Sequence, residues 1–238
     1  DENGGNAVAD SSGNKLNGIV HGAAFVQGVS GTGLEFNGKN DYVEIPPGTA
    51  GSSLDSITFA AWVCLTAPLD KQSAPYPTVI EKTSIHDKDG RPGLLYFNRS
   101  RGTLECGFKN ENGWQTVISS KTNFAPGTWH HVAFTFDSPV GMLSLYVDGE
   151  LAGETHANGK IQKSNSPLYI GKTCGDNGYF KGRIDEVFVF AKALSCYDIK
   201  KLAAGEKTKY VPPRLSVPFC SQAPVANGRI SPEEWGNA

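Results

Sequence analysis

Carboxylates set the first chemical question for this chain. Glycoside hydrolysis needs two of them about 5–10 Å apart across the bond to be cut. Glu81 and Glu105 each stand alone in an apolar stretch, and the adjacent Asp185-Glu186 pair points to opposite faces of any strand. His130-His131 invites a metal or general-base role, but strand neighbours again face apart, so packing is expected of both. There is no Gly-x-Ser-x-Gly elbow and no phosphate-binding glycine loop. The five cysteines show no CxxC spacing, which argues against zinc. Catalysis by this chain is not expected.

Binding chemistry is better provided for. A sugar ring offers an apolar C–H face to an aromatic side chain, and its hydroxyls pair with planar polar groups. Suitable residues gather on turn-rich segments: Trp114, Tyr76, His86, Arg91, Asn112 and Tyr179 are the candidate ligand set, with Asp87, Asp89 and Asn110 beside them. Trp114 follows a turn and lies outside a hydrophobic run, so it is either exposed or packed over a sheet edge. Trp62 and Trp129 sit within strand patterns and are expected in the core. The oxygen-rich loop Asp10-Ser11-Ser12-Gly13-Asn14 suits Ca²⁺, which takes six to eight oxygen ligands. The alternative is that Asp10 closes its own turn through the backbone.

The elements that must position these groups read as strands. From Ile184 to Phe190 the chain alternates, with Ile184, Glu186, Phe188 and Phe190 on one side and Asp185, Val187 and Val189 on the other. Ile57, Phe59, Ala61 and Val63 share one face of a core strand. Leu94 to Phe97 and Leu104 to Phe108 pair through Arg99-Ser100-Arg101-Gly102, and Asp148-Gly149 supplies a hairpin turn of the primed type. A short helix is predicted after Ser195, its N-cap, with Asp198 at the third position and Gly205 at the end.

Four stretches resemble, in order, the LamG-like jelly-roll domains of the concanavalin A-like lectin/glucanase superfamily. They are Ala9 to Asn14 with Gly18; Leu34 to Val43; Pro126 to Phe134 with Leu145-Tyr146-Val147-Asp148-Gly149; and Gly182-Arg183-Ile184-Asp185-Glu186-Val187 with Ala193-Leu194-Ser195. The resemblance implies an all-β, concanavalin A-like jelly-roll sandwich of two antiparallel sheets with one short C-terminal helix, over residues 1–205. It also implies a structural calcium held by Asp10 and Asp185, with carbonyls near Asn14 and around Gly38 completing the shell. It transfers no sugar-binding residue, and this chain lacks the Glu-x-Asp-x-x-Glu arrangement of the glucanase relatives.

Composition fits that frame. Across 238 residues there are 28 glycines and 14 prolines, as many short strands joined by tight turns require, and 39% of residues are hydrophobic. A formal net charge of −2 without a basic cluster argues against nucleic acid and anionic membranes as partners, and no apolar run is long enough to span a bilayer. Residues 206–222 read as a Pro-rich linker, and 223–238 as the stub of a following domain similar to the opening of family 9-like carbohydrate-binding modules. With a start that reads as trimmed, this suggests a piece of a larger protein with further domains covalently attached. Cysteine usage suits export and two disulfides, with Cys174–Cys196 flanking the closing strand and Cys64–Cys106 as the favoured pairs; sequence alone does not fix connectivity, and a fully reduced set is the alternative. The expected function is a non-catalytic, lectin-like module that binds a polysaccharide or other glycan within a secreted or cell-surface protein, such as a polysaccharide-degrading enzyme. The competing class is an adhesion or spacer module that contacts protein.

Overall fold

The structure is a computed structural model that describes residues 5–47, 56–82, 91–162 and 164–206. An eight-stranded sheet runs in the order β1 (Ala7–Val8), β2 (Gly18–His21), β5 (Tyr42–Ile45), β14 (Leu168–Ile170), β7 (Thr78–Lys82), β8 (Arg91–Asn98), β9 (Thr103–Asn110) and β10 (Gly113–Ile118). The second, seven-stranded sheet has the order β13 (Glu150–His156), β12 (Met142–Val147), β11 (Trp129–Asp137), β6 (Ser56–Leu65), β15 (Lys181–Phe190), β4 (Thr32–Asn37) and β3 (Ala24–Gln27). Neighbouring strands are antiparallel. The chain therefore forms the all-β jelly-roll sandwich of two antiparallel sheets that its sequence predicts.

Period-two alternation decides what lies between the layers. Ile57, Phe59, Ala61, Val63 and Leu65 of β6 face Leu95 and Phe97 of β8 and Leu104, Cys106 and Phe108 of β9 in one buried core. Intervening residues of the same strands must then point outward. On β6 these are Thr58, Ala60, Trp62 and Cys64, so Trp62 lies on an outer face and not in the interlayer core where the sequence reading put it. Trp129, paired with Cys64, shares that face.

Helix α1 (Cys196–Ala203) closes the outer face of the second sheet. Ser195 caps it as predicted: its hydroxyl accepts from the Asp198 amide, and the Asp198 carboxylate accepts from the Ser195 amide. Leu194, Ile199 and Leu202 pack on Ala60, Ala133 and Tyr146, with Phe188 and Phe190 alongside. The small side chains of Ala60 and Ala133 let the helix approach the sheet.

The closing strand departs from simple alternation. Its pairing with β6 shifts register between Asp185 and Phe188, and Glu186 takes a left-handed φ of 46°. That bulge inserts one residue and switches the faces beyond it. Val187 and Val189 consequently join Ile184 against the interlayer core, while Phe188 and Phe190 turn to the helix.

Candidate functional site

The outer face of the eight-stranded sheet is the chemically rich one. Register places Ile19, Glu44, Tyr169, Glu81, Leu94, Gly107 and Thr116 in one row across seven strands. The inward neighbours of these residues, among them Val43, Ile170, Ile80, Leu95, Cys106 and Val117, are core. One side of the row carries Tyr96 and Glu105, which pair across β8 and β9. The other carries Arg91, Lys109 and Trp114.

At the β5–β14 end, three tyrosines surround an ammonium group. The Lys172 Nζ lies 4.3 Å from the ring centre of Tyr42, 4.9 Å from Tyr169 and 5.7 Å from Tyr179. Tyr42 is itself stacked on His21 at 4.3 Å, and Tyr179 donates from its hydroxyl to the Asp176 carboxylate at 3.1 Å. Beneath them Glu81 is only 2% exposed, and its carboxylate accepts from the Cys174 amide at 2.9 Å. Burial lifts this acid from 4.5 to about 7, against the opposing pull of that amide, Arg91 and Lys172.

Toward the far edge the pattern repeats with other groups. Glu105 accepts from the Tyr96 hydroxyl at 2.6 Å, from Arg101 at 3.1 Å and from Thr103 at 3.1 Å. Burial and that bond to Glu105 push the Tyr96 phenol up. Tyr76 packs edge-on against Tyr96 at 5.8 Å. On β10 Trp114 is 44% exposed, with the Arg91 guanidinium 5.3 Å from the centre of its ring.

Of the residues proposed from sequence, Trp114, Arg91, Tyr76 and Tyr179 thus belong to this face or its margins. Asn112 does not: it sits in the β9–β10 turn, where its amide donates to Asn110 and its side chain to the Asn158 carbonyl. His86, with Asp87 and Asp89, lies outside the described residues. Sequence reasoning passed over Tyr42, Tyr169, Lys172 and Tyr96, and weighed Glu81 and Glu105 only as catalytic carboxylates. A signal for most of them was available: in Tyr42-Val43-Glu44-Ile45 and Leu95-Tyr96-Phe97, polar or aromatic residues alternate with core positions.

The residues expected around calcium each have hydrogen-bond partners of their own. The Asp10 carboxylate accepts from the Ser12 and Leu16 amides, the local turn that was the alternative reading. Asp185 accepts from the Val29 and Ser30 amides through one oxygen and from the Glu186 amide through the other. The Asn14 side chain donates to Ser12, and Gly38 sits in a turn against Lys181. A carboxylate offers about four acceptor sites, and these N–H donors take two on Asp10 and three on Asp185, so the amides compete with a cation for the same oxygens. Among the described residues no group of three or more His, Cys, Asp or Glu side chains is placed to hold a metal ion.

Both favoured disulfides are corrected. Cys64, Cys106, Cys174 and Cys196 are all free thiols. Cys106 points into the interlayer core, whereas Cys64 points out of the second sheet, so the sheet itself separates them. Cys174 is held to Glu81 on the outer side of the first sheet, and Cys196 begins the helix on the outer side of the second. Flanking a strand in sequence did not bring that pair to one side of the sandwich.

The pattern of the Laminin_G_3 family, of the concanavalin A-like lectin/glucanases superfamily, matches residues 37–200. The chain belongs to this family. A mouse (Mus musculus) relative, "Sushi, von Willebrand factor type A, EGF and pentraxin domain-containing protein 1", is 25% identical over 191 residues, 74% of this chain but 5% of the relative. The Laminin_G_3 chain thus spans about a twentieth of that protein's length. Among solved structures, the binding domain of Paraclostridial Mosquitocidal Protein 1 superposes with a TM-score of 0.67 at 18% identity, covering 83% of this chain and 49% of that one. Domain 4 of AbnA, a GH43 extracellular arabinanase from Geobacillus stearothermophilus in complex with arabinotriose, gives a TM-score of 0.63 at 18% identity, covering 82% and 92%. At such identities these two likenesses establish the shared fold. No helix among the described residues is long and apolar enough to cross a membrane.

Proposed function

We propose that this chain is a non-catalytic, glycan-binding module of a secreted multidomain protein, and that it binds through the outer face of the eight-stranded sheet. One observation carries the reading: helix α1 packs on the second sheet, while the first presents Tyr42, Tyr169, Tyr179, Tyr96 and Trp114 interleaved with carboxylates and cations. Rings stack on sugar C–H faces, and charged planar groups pair with hydroxyls. The arabinanase domain with its arabinotriose supports the reading by analogy of fold. In a parent protein the module would raise the local concentration of an attached domain near its polysaccharide. Calcium is not required by this reading.

The carboxylates of the face serve as acceptors here. Glu105 is committed to Tyr96, Arg101 and Thr103, and Glu81 to the Cys174 amide. The protein should bind insoluble or gel-embedded polysaccharide without releasing reducing sugar. Affinity electrophoresis across a polysaccharide panel, with Trp114→Ala alongside the parent chain, tests this. Retardation that Trp114→Ala and Tyr169→Ala both leave unchanged would move the site off this face. Retention by no polysaccharide, with capture of a protein partner instead, would favour the adhesion class.

A further inference from the structure

We infer that the chain has a second binding site, on the helix-bearing side of the sandwich: a small pocket that takes an arginine side chain of a protein partner. It opens between the end of α1 and the Val29-Ser30 turn, with Trp62, Phe188, Leu202 and Glu186 among its walls. The eight-stranded sheet contributes nothing to it, so it stands or falls apart from the glycan reading.

Three local features build the pocket. Helix α1 rests on Ala60 and stops at Ala203, before Gly205 takes a left-handed φ of 73°. Trp62, the next outward residue of β6, is therefore left at the margin of the lid, and Leu202 supplies the helix's part of the wall. The bulge in the closing strand then turns Glu186 to the opening while Phe188 packs toward the helix. Its φ of 46° is a backbone that favours glycine, so a glutamate there holds its carboxylate in place at a conformational cost. Finally, the Asp185 carboxylate accepts from the Val29, Ser30 and Glu186 amides. All three of those residues line the pocket, so one buried acid fixes its walls before a ligand arrives.

The lining selects a flat cation. Among the described residues it holds two carboxylates, Glu186 and Glu206, and no Lys, Arg or His. Glu206 lies within electrostatic reach of Lys201, whereas the Glu186 carboxylate has no ion pair among the described residues. The C-terminal end of the helix adds partial negative charge. An indole is the best aromatic face for a cation, and a guanidinium stacks on it while its N–H fork reaches a carboxylate. An ammonium is a point charge without that fit. The space, about 30 Å³, suits the tip of one side chain. The surround suits a protein surface. Register continues the same outer face through Trp129, Arg183 and Glu35, and tryptophan and arginine are the residues that dominate interface energetics.

The test is an NMR titration of the isotope-labelled 238-residue chain with acetyl-Gly-Arg-Gly amide, with the citrulline and lysine peptides and methylguanidine alongside. The arginine peptide should shift the Trp62 indole and the Glu186 and Leu202 amides. Citrulline, which keeps the shape and loses the charge, should bind roughly tenfold more weakly or worse, and lysine several-fold more weakly. Glu186→Gln should lower arginine affinity by roughly fivefold or more, with the rest of the spectrum in place. Glu186→Gly, which suits the left-handed backbone, is the second variant should the first fail to fold. Equal binding of arginine and citrulline, no shift at Trp62, or a Glu186→Gln chain that binds as before would overturn the cation site. Lysine bound as tightly as arginine would overturn the guanidinium preference. Methylguanidine bound more tightly than the peptide would assign the pocket to a small molecule and overturn the protein partner.

Discussion

The two outward faces of the sandwich have been put to opposite uses. Behind the seven-stranded sheet, alternate positions are Ala60, Ala133, Tyr146, Phe188 and Phe190, and the helix covers them. On the eight-stranded sheet the equivalent positions are Glu44, Tyr169, Glu81, Tyr96, Glu105 and Trp114, of which Glu81 and Glu105 are buried and Trp114 is exposed. Strand geometry is the same in both, so the difference comes from what alternates with the shared core. Apolar outward residues demand a lid; aromatic and charged ones leave a surface that can recognise something.

The sharpest way to break that contrast is to damage the lid. Ile199 is fully buried, and Ile199→Ala should cost about 2–5 kcal/mol, because the helix offers little slack to refill the cavity. Chemical denaturation would measure this as a lower midpoint at unchanged slope. Glycan affinity, read well below the new melting temperature, should stay within twofold of the parent. A matching loss of affinity would mean that the two faces are coupled.

Acid titration separates the faces next. Glu81 on the open face is pushed up by burial from 4.5 to about 7, so the folded state holds its proton more tightly than the unfolded chain. Its contribution to stability is full below about 4.5 and is lost as pH rises through about 7. His131 on the covered face sits against Trp62 with 0% exposure, and burial lowers it from 6.5 to about 4. Neither of its ring nitrogens has a hydrogen-bond partner among the described residues. Its contribution is full above 6.5 and is lost as pH falls toward about 4. Each amounts to the order of 3 kcal/mol, and between pH 4.5 and 6.5 they oppose each other. Glu81→Gln should therefore expose a fall in melting temperature on acidification across that window, and His131→Phe should expose a rise. Parallel profiles for both variants would refute the opposed pair.

How much of this was legible follows from which signal each feature uses. The layers, the Asp148-Gly149 turn and the Ser195 cap are local, set by alternation, positive φ and a hydroxyl three residues before a carboxylate. The bulge at Glu186 is not local: its extra residue is accommodated by pairing with β6, and strict alternation put Phe188 and Val187 on the wrong faces. The ligand face was half visible. Trp114, Tyr76, Arg91 and Tyr179 stood out because turns surround them, whereas Tyr42, Tyr169 and Tyr96 were hidden inside strands read only for their core half. Lys172 acquires meaning only when β5 and β14, distant in sequence, bring tyrosines around it. The cysteine pairs failed for the converse reason, because sequence position says nothing about which side of a sheet a thiol takes.

On the open face, stability and function should come apart. Trp114 is 44% exposed, so Trp114→Ala should destabilise the fold less than Ile199→Ala does while glycan affinity drops. A destabilisation as large as that of Ile199→Ala would show that the ring is a packing element and not a platform.

The smallest effect should come from chelation. The Asp185 carboxylate reaches from the closing strand to the Val29 and Ser30 amides beyond β3, tying strands to a turn more than 150 positions away in the chain by hydrogen bonds. Gly28 makes room for it: a Cβ there would lie 2.2 Å from the Asp185 oxygen. Charge-assisted bonds of this kind are worth about 1.5–3 kcal/mol each when partly buried, which is enough to fasten the loop without a cation. With three backbone amides as the partners of this carboxylate, EDTA should leave the melting temperature of the purified protein unchanged within about 1 °C. Asp185→Asn, which keeps the shape but loses the charge, should lower it. A drop of several degrees with EDTA, reversed by added Ca²⁺, would replace the amide clamp with the divalent ion that the family resemblance implied.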